Sequence, residues 1–137
     1  MDINTGRPNH IEDYLGTLNI GYGGWFGWSD SNNKVYDNLI LHPKIFDCSK
    51  QELVDSHITS FPTEQECING LEQMQFDFDM TKLRAKRNNL LAETDHYALS
   101  DQTLSDDMRT YRQSLRDITN GLTTVADVEA VVFPTKP

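Results

Sequence analysis

The fold depends on residues 62–79, PTEQECINGLEQMQFDFD, where a β-rich front gives way to a helical remainder. A capping box opens this stretch, because the Thr63 hydroxyl can accept from the backbone amide of Glu66 while the Glu66 carboxylate reaches back. Apolar residues then recur at helical spacing along one stripe: Cys67, Leu71, Met74 and Phe78. The pattern predicts an amphipathic helix that ends near Asp79.

Two β-rich runs precede this helix. Residues 21–28 (GYGGWFGW) and 35–41 (VYDNLIL) bracket a cluster of Ser, Asp and Asn that suits a tight connection. They predict a β-hairpin, with Tyr22, Phe26 and Trp28 on one face and Trp25 on the other. Since a two-stranded ribbon is marginal in water, we expect it to pack on a helix, a further strand or another chain.

The segments on either side of the hairpin have weaker patterns. Residues 1–20, with Ile20 the last of their scattered apolar positions, sustain neither a helix nor a strand period. We expect an N-terminal arm that gains order on another surface, such as another subunit. Residues 49–58 predict a short helix, because Ser49 and Glu52 have capping-box spacing.

The remainder of the chain predicts further helices. A second helix, or a continuation of the first, is expected from about Thr81 to Glu93, followed by a loop over residues 94–104. Ser105 caps a third helix, and Gly121 ends it. The buried stripe of this third helix is expected to contain Met108, Tyr111, Leu115 and Ile118.

The C-terminal residues 123–137 end in VVFPTKP, whose prolines exclude helix and predict an extended tail. Together the segments predict an α+β protein with a small antiparallel hairpin module, about three helices and this tail. The predicted organisation is an arm over residues 1–20, a hairpin-plus-helix module over 21–80, and a helical module with its extended tail over 81–137.

Charge is distributed unevenly along the 137 residues, which carry a net charge of −9. Residues 1–80 hold thirteen acidic and four basic side chains, whereas residues 81–137 hold eight of each. An acidic front repels phosphate backbones, and the short basic stretch 82–87 is more simply a solvated helix face, so we predict no nucleic-acid binding. No apolar run is long enough to span a membrane and no signal-peptide pattern is present, so we expect no membrane association.

Catalytic and metal-binding patterns are missing from the sequence. The four histidines form no H-x-x-x-H pair, and two cysteines, Cys48 and Cys67, are too few for a disulfide scaffold and wrongly spaced for a C-x-x-C motif. We expect two unpaired thiols, and a zinc site that added His57 to them would need the tertiary fold to bring the three together. The sequence therefore predicts a non-enzymatic protein with no cofactor and no metal.

One binding function stays open in the hairpin. Trp25 and Trp28 could stack on a host glycan if the ribbon is exposed. The simpler interpretation is that both rings pack against helices or a neighbouring subunit, because a chain with a thin core needs its aromatic residues inside. Glycan binding is therefore the alternative and not the main prediction.

Three C-terminal stretches carry a family pattern: residues 83–95 (LRAKRNNLLAETD), 111–118 (YRQSLRDI) and 131–137 (VVFPTKP). They resemble the phage tail assembly chaperone domain of tailed bacteriophages, whose pattern is RxxRxxLLAxxDW, then YRQxLRDI, then a terminal WPxKP. Two positions depart from it, because His96 and Phe133 each stand where the family has Trp. The second departure keeps an aromatic anchor.

A second resemblance covers residues 24–79. They are similar to small proteins of marine and cyanobacterial myophages, in which a hairpin leads into a PTExEC helix. The matching positions are Gly27–Asp30, Asn38, Leu39 and Pro62–Cys67. Together the two resemblances imply a phage protein with a hairpin front and a helical tail-assembly module behind it.

The resemblances imply a component of the virion tail or tail fibre, made in the host cytoplasm, that binds other tail or fibre subunits and copies of itself. The alternative is a transient assembly chaperone that is absent from the mature virion. The residues expected to contact partners lie in the hairpin, on the third helix and in the tail: Tyr22, Trp25, Phe26, Trp28, Tyr111, Val132, Phe133, Pro134 and Lys136.

Overall fold

The structure is a computed structural model that describes residues 1–19, 22–99, 101 and 103–137. The predictions made at positions 20, 21, 100 and 102 lie outside the described residues. Within them the chain forms five strands and four α-helices, which confirms the α+β class. The chain divides into two compact units, residues 1–71 and residues 72–137, called unit 1 and unit 2 below. The three-part organisation predicted above stays a prediction.

Unit 1 contains a short helix, two small sheets and the first turns of a long helix. One sheet has the strand order β1-β4-β5 and the other pairs β2 with β3, all antiparallel. The elements are α1 (Ile11–Leu15), β1 (Tyr22–Gly23), β2 (Phe26–Trp28), β3 (Leu39–Leu41), β4 (Lys44–Asp47), β5 (Glu52–Asp55) and α2 (Glu64–Ala92), the last of which continues into unit 2.

The predicted hairpin is confirmed at its centre but is shorter at both ends. In the β2–β3 pair, Phe26 lies opposite Leu41. By contrast, β1 pairs with β4, and residues 36–38 form a 3-10 turn where a strand was expected. Gly24 accounts for the break before β2, because its φ of +73° turns the chain in a way that other residues rarely adopt.

The helix predicted over residues 49–58 is wrong, because β4 and β5 form a hairpin there, with Ile45 opposite Val54. The Asp47 carboxylate accepts from the backbone amides of Ser49 at 2.9 Å and Lys50 at 3.2 Å, which stabilises a turn. Gln51 then adopts a φ of +55°, which is incompatible with a right-handed helix.

The prediction that the N-terminal segment contains no helix is wrong at residues 11–15. His10 caps α1, since its Nδ1 accepts from the backbone amide of Glu12 at 3.1 Å, while the Asp13 carboxylate accepts from the amide of His10 at 3.3 Å. Leu15 is fully buried in the cluster of Leu15, Trp25, Ile45 and Cys67. The N-terminal segment therefore contributes to the hydrophobic core of unit 1. The sequence did not predict α1 because five residues are too few to show a helical period.

Gly70 allows α2 to approach α1 closely. A Cβ atom on Gly70 would lie 2.3 Å from carbon atoms of the Tyr14 ring. We expect overpacking in Gly70→Ala to lower the free energy of unfolding by about 1–3 kcal/mol. The higher helix propensity of Ala offsets up to about 1 kcal/mol of this loss. Urea unfolding measures the change. In a Tyr14→Ala background the same substitution should be neutral or stabilising, and an equal loss in both backgrounds would contradict the steric explanation.

The start of α2 is confirmed and its end is corrected. Thr63 Oγ1 accepts from the amide of Glu66 at 3.2 Å, and Glu66 Oε2 accepts from the amide of Thr63 at 2.7 Å, so the capping box forms. The helix does not end near Asp79 but runs to Ala92, which is the continuation that the sequence left open. Since residues 80–92 include neither Pro nor Gly, nothing in them interrupts the helix.

Unit 2 combines the rest of α2 with α3 (Asp106–Asp117) and α4 (Val125–Glu129). Ser105 caps α3 as predicted, its Oγ accepting from the amide of Met108 at 3.2 Å. The expected stripe is buried at Met108, Tyr111 and Leu115 and half-buried at Ile118. The loop predicted over 94–104 contains a 3-10 turn at Asp95–Ala98. The extended tail is wrong at α4, where Thr124 and Asp127 form a capping box, whereas residues 131–137 form neither helix nor strand.

Candidate partner-binding site

The aromatic residues predicted as a hairpin contact surface serve mainly the core of unit 1. Trp25 is buried, and its ring meets Phe26 edge-on at a centroid distance of 4.9 Å. Trp28 is half-buried; its indole N–H donates to Glu12 Oε1 at 3.4 Å. Tyr22 is half-buried as well. Because Trp25 is buried, only Trp28 of the two tryptophan rings is left to stack on a sugar. Glycan binding is therefore not favoured.

Tyr111, the residue predicted on the third helix, lies in the core of unit 2. It belongs to a buried cluster with Met108 and Leu115. The half-buried residues packed against this cluster are Leu90, Leu91, Tyr97, Leu104 and Phe133. The helices of unit 2 thus provide a base on which part of the C-terminal tail packs.

Arg112 ties α3 to the end of α2, and sequence reasoning missed this role. The residue is only 7% exposed. Its Nη1 donates to the Leu91 carbonyl at 3.0 Å and to Thr94 Oγ1 at 2.6 Å, and its Nη2 donates to Asp95 Oδ1 at 2.8 Å. The one available signal was its position directly after Tyr111, at the border of the apolar stripe. The fork of donors on a guanidinium suits three acceptors held at one turn of the chain.

The C-terminal tail has one docked residue beside exposed ones. Phe133 is half-buried against the Tyr111 cluster, and the Lys86 ammonium lies 4.2 Å from its ring centroid, a cation–π contact. Val132 is 86% exposed, Lys136 is exposed and Pro134 is half-buried. We call Val132, Pro134 and Lys136 the tail surface. Phe133 packs on unit 2, while Val132 and Lys136 beside it stay exposed.

The capping box of α4 fixes the chain that leads into this tail. Asp127 Oδ2 accepts from the backbone amides of Thr123 at 2.9 Å and Thr124 at 2.8 Å. It also accepts from the Thr123 hydroxyl at 3.1 Å. These hydrogen bonds, the Thr123 amide first, lower the pKa of Asp127 from 3.8 to about 2.

This cap makes the start of the tail sensitive to acid. Because the pKa of Asp127 is lower in the folded protein than in the unfolded chain, the cap stabilises α4 fully above about pH 4, and this stabilisation is lost as pH falls towards about pH 2. Amide chemical shifts of Thr123 and Thr124 should titrate over that window. Asp127→Asn should abolish the transition, whereas Asp107→Asn, at an exposed position of α3, should preserve it. An unaltered transition in Asp127→Asn would contradict the assignment.

Where the structure describes the chain, the thiols and the acidic side chains are not grouped as metal ligands. Cys48 is exposed and Cys67 is buried, and both are unpaired as predicted. Burial raises the pKa of the Cys67 thiol. Among the described residues, no group of three or more His, Cys, Asp or Glu side chains is placed to hold a metal ion. Over the same part of the chain, every helix is too short or too polar to cross a bilayer.

Residues 80–137 match the family model of the phage tail assembly chaperone protein. The match confirms the resemblance of the C-terminal part of the chain to that family. It falls on the unit that contains the Arg112 hydrogen bonds and the tail surface, and it supports a role in phage tail assembly. No curated protein and no solved structure matches the chain.

Proposed function

We propose that this protein binds tail or tail-fibre subunits during phage tail assembly, in the host cytoplasm and without catalysing a reaction. The observation that carries the proposal is the tail surface, because a family match to tail assembly chaperones coincides with an exposed apolar side chain, Val132, next to the anchored Phe133. Apolar side chains held in an exposed position by a packed neighbour are suited to binding a protein partner.

We propose the transient role, the alternative that the resemblances left open, and not a permanent place in the virion. The argument for a virion component depends on loose segments at both ends that gain order from neighbouring subunits. Leu15 is instead buried within unit 1, so the N-terminal half of that argument is lost. A contact built on Val132, Pro134 and Lys136 is small, and small interfaces favour reversible binding.

Co-purification from infected cells tests the proposal. The tagged full-length protein should recover tail or fibre subunits, identified by mass spectrometry, and the double variant Val132→Asp, Lys136→Glu should recover at least about tenfold less. Ile3→Asp is the matched control, since Ile3 is exposed in unit 1. Equal recovery by the double variant and the control would contradict the tail surface, and failure of the unaltered protein to recover any tail subunit would contradict the function.

The composition of purified virions separates the two forms of this role. We expect the protein to be missing from mature particles while it is present in infected cells during assembly. Its presence in particles at a fixed ratio to other tail proteins would instead identify a virion component.

A further inference from the structure

An edge strand of unit 1 is not used by the proposed function. The three-stranded sheet has the order β1-β4-β5, so within the part of the chain that the structure describes, β5 has a neighbouring strand on one side only. The backbone N–H and C=O groups along a sheet edge can pair with an added strand. Residues 52–55 therefore form a potential docking site for an extended segment.

The pairing of β4 with β5 determines which backbone groups face the open edge. The Ser56 amide donates to the Pro43 carbonyl at 2.9 Å, one step beyond the pair of Lys44 and Asp55. Since hydrogen-bonded and non-bonded pairs alternate along an antiparallel ladder, the backbone groups of Leu53 and Asp55 point away from β4. Two residues of β5 thus present their N–H and C=O groups at the edge.

The outer face of the same sheet carries an apolar pair. Leu53 and Phe46 lie directly opposite each other on β5 and β4 and are 67% and 42% exposed. Ile45, whose side chain points to the opposite face, is fully buried. The sheet therefore covers the core with one face and leaves an apolar pair uncovered beside an open edge, a combination that marks a binding surface.

Charge selects the kind of segment that fits this edge. Residues 1–71 carry ten acidic and four basic side chains. Asp55 pairs with Lys44, but no cation of the described residues lies within salt-bridge distance of Glu52. A second copy would bring the same ten acidic and four basic side chains to the edge, so the net charges of two copies would repel each other. The edge favours a basic segment over a second copy.

We propose that β5 binds an extended, basic segment of a partner protein by strand addition. Apolar side chains of that segment would lie beside Leu53 and extend its apolar pair with Phe46 across the outer face. Lys or Arg side chains on its other face would lie near Glu52, which shares the face of Ile45. This inference goes beyond the proposed function and does not depend on it, because it concerns unit 1 and is testable on the purified protein.

The test uses two synthetic peptides and the full-length protein. The first peptide alternates valine and lysine (VKVKVKV), and the second has the same composition in two blocks (VVVVKKK). We expect the alternating peptide to bind at least about tenfold more tightly in calorimetry, because only alternation places all apolar residues on one face of a strand. Equal binding of the two peptides would overturn the proposal, since charge alone would then explain it.

Variants of β5 locate the binding. Leu53→Pro removes an outward N–H and the exposed side chain without removing a bond to β4, so binding should be lost while circular dichroism and the melting temperature stay unchanged. Leu53→Thr keeps the N–H but loses the exposed apolar side chain, and Glu52→Lys reverses the charge at the edge. Each should weaken binding by about three- to tenfold. Asp37→Lys is the control and should weaken binding less, because Asp37 is exposed outside the sheet.

The outcomes are separable even where one variant fails to fold. If Leu53→Pro is unfolded, binding by Leu53→Thr, and the contrast in binding between Glu52→Lys and Asp37→Lys, still test the proposal. Unchanged binding in a folded Leu53→Pro variant would overturn the proposal. So would a dimer in sedimentation that Leu53→Thr dissociates, because the occupant of the edge would then be a second copy.

Discussion

Replacing Arg112 with methionine is expected to lower the free energy of unfolding by about 1–3 kcal/mol, the range for leaving buried polar groups without a hydrogen-bond partner. Methionine has a similar reach but no donors, so the Thr94 hydroxyl and the Leu91 carbonyl lose their bonds to the guanidinium. Thr94 is fully buried and cannot recover these bonds from water. Urea unfolding followed by circular dichroism measures the loss.

Two controls assign that loss to particular bonds. Arg112→Lys keeps the charge but not the planar fork, so it should fall between methionine and the unaltered protein. Asp95→Asn should cost only about 0–1 kcal/mol, because the Asp95 side chain is 66% exposed and its ion pair is screened by water. If Arg112→Met cost no more than Arg109→Met, at an exposed position on the same helix, the structural role of Arg112 would be refuted.

Leu15→Ala should lower the free energy of unfolding by about 2–5 kcal/mol, as expected for a fully buried leucine. The lost methyl groups leave a cavity among Trp25, Ile45 and Cys67. Leu18→Ala is the matched control, because Leu18 is exposed in the same segment, and it should change stability by less than about 0.5 kcal/mol. Thermal unfolding of both variants distinguishes an N-terminal segment that belongs to the core from a loose arm, for which both changes would be small.

The features that sequence analysis predicted well are local ones. The capping residues Thr63 and Ser105 accept hydrogen bonds from backbone amides three residues away. A short sequence window therefore contains both partners of each bond. The helix predicted over residues 49–58 failed for the complementary reason. Ser49 and Glu52 have the spacing of a capping box, but pairing with β4, which a short window cannot show, decides the structure there.

The same distinction holds for the candidate site. Phe133 and Val132 were predicted as contact residues because proline and aromatic residues mark an anchored, extended end, and that role stays a prediction. Arg112 was not, because an arginine on an amphipathic helix is typical of a solvated face, and its burial depends on acceptors contributed by the end of α2. Trp25 and Tyr111 were placed among the contact residues, but each fills the core of its own unit.

Alkylation of the two cysteine thiols can report local opening of unit 1. Cys48 is exposed to alkylating reagents, whereas Cys67 is buried and burial raises the pKa of its thiol. Alkylation of Cys67 therefore requires local opening of the surrounding structure. The rate at which the second thiol is modified after the first therefore measures how often unit 1 opens. A subunit captured at β5 would slow that rate, which makes occupancy of the edge visible without any added label.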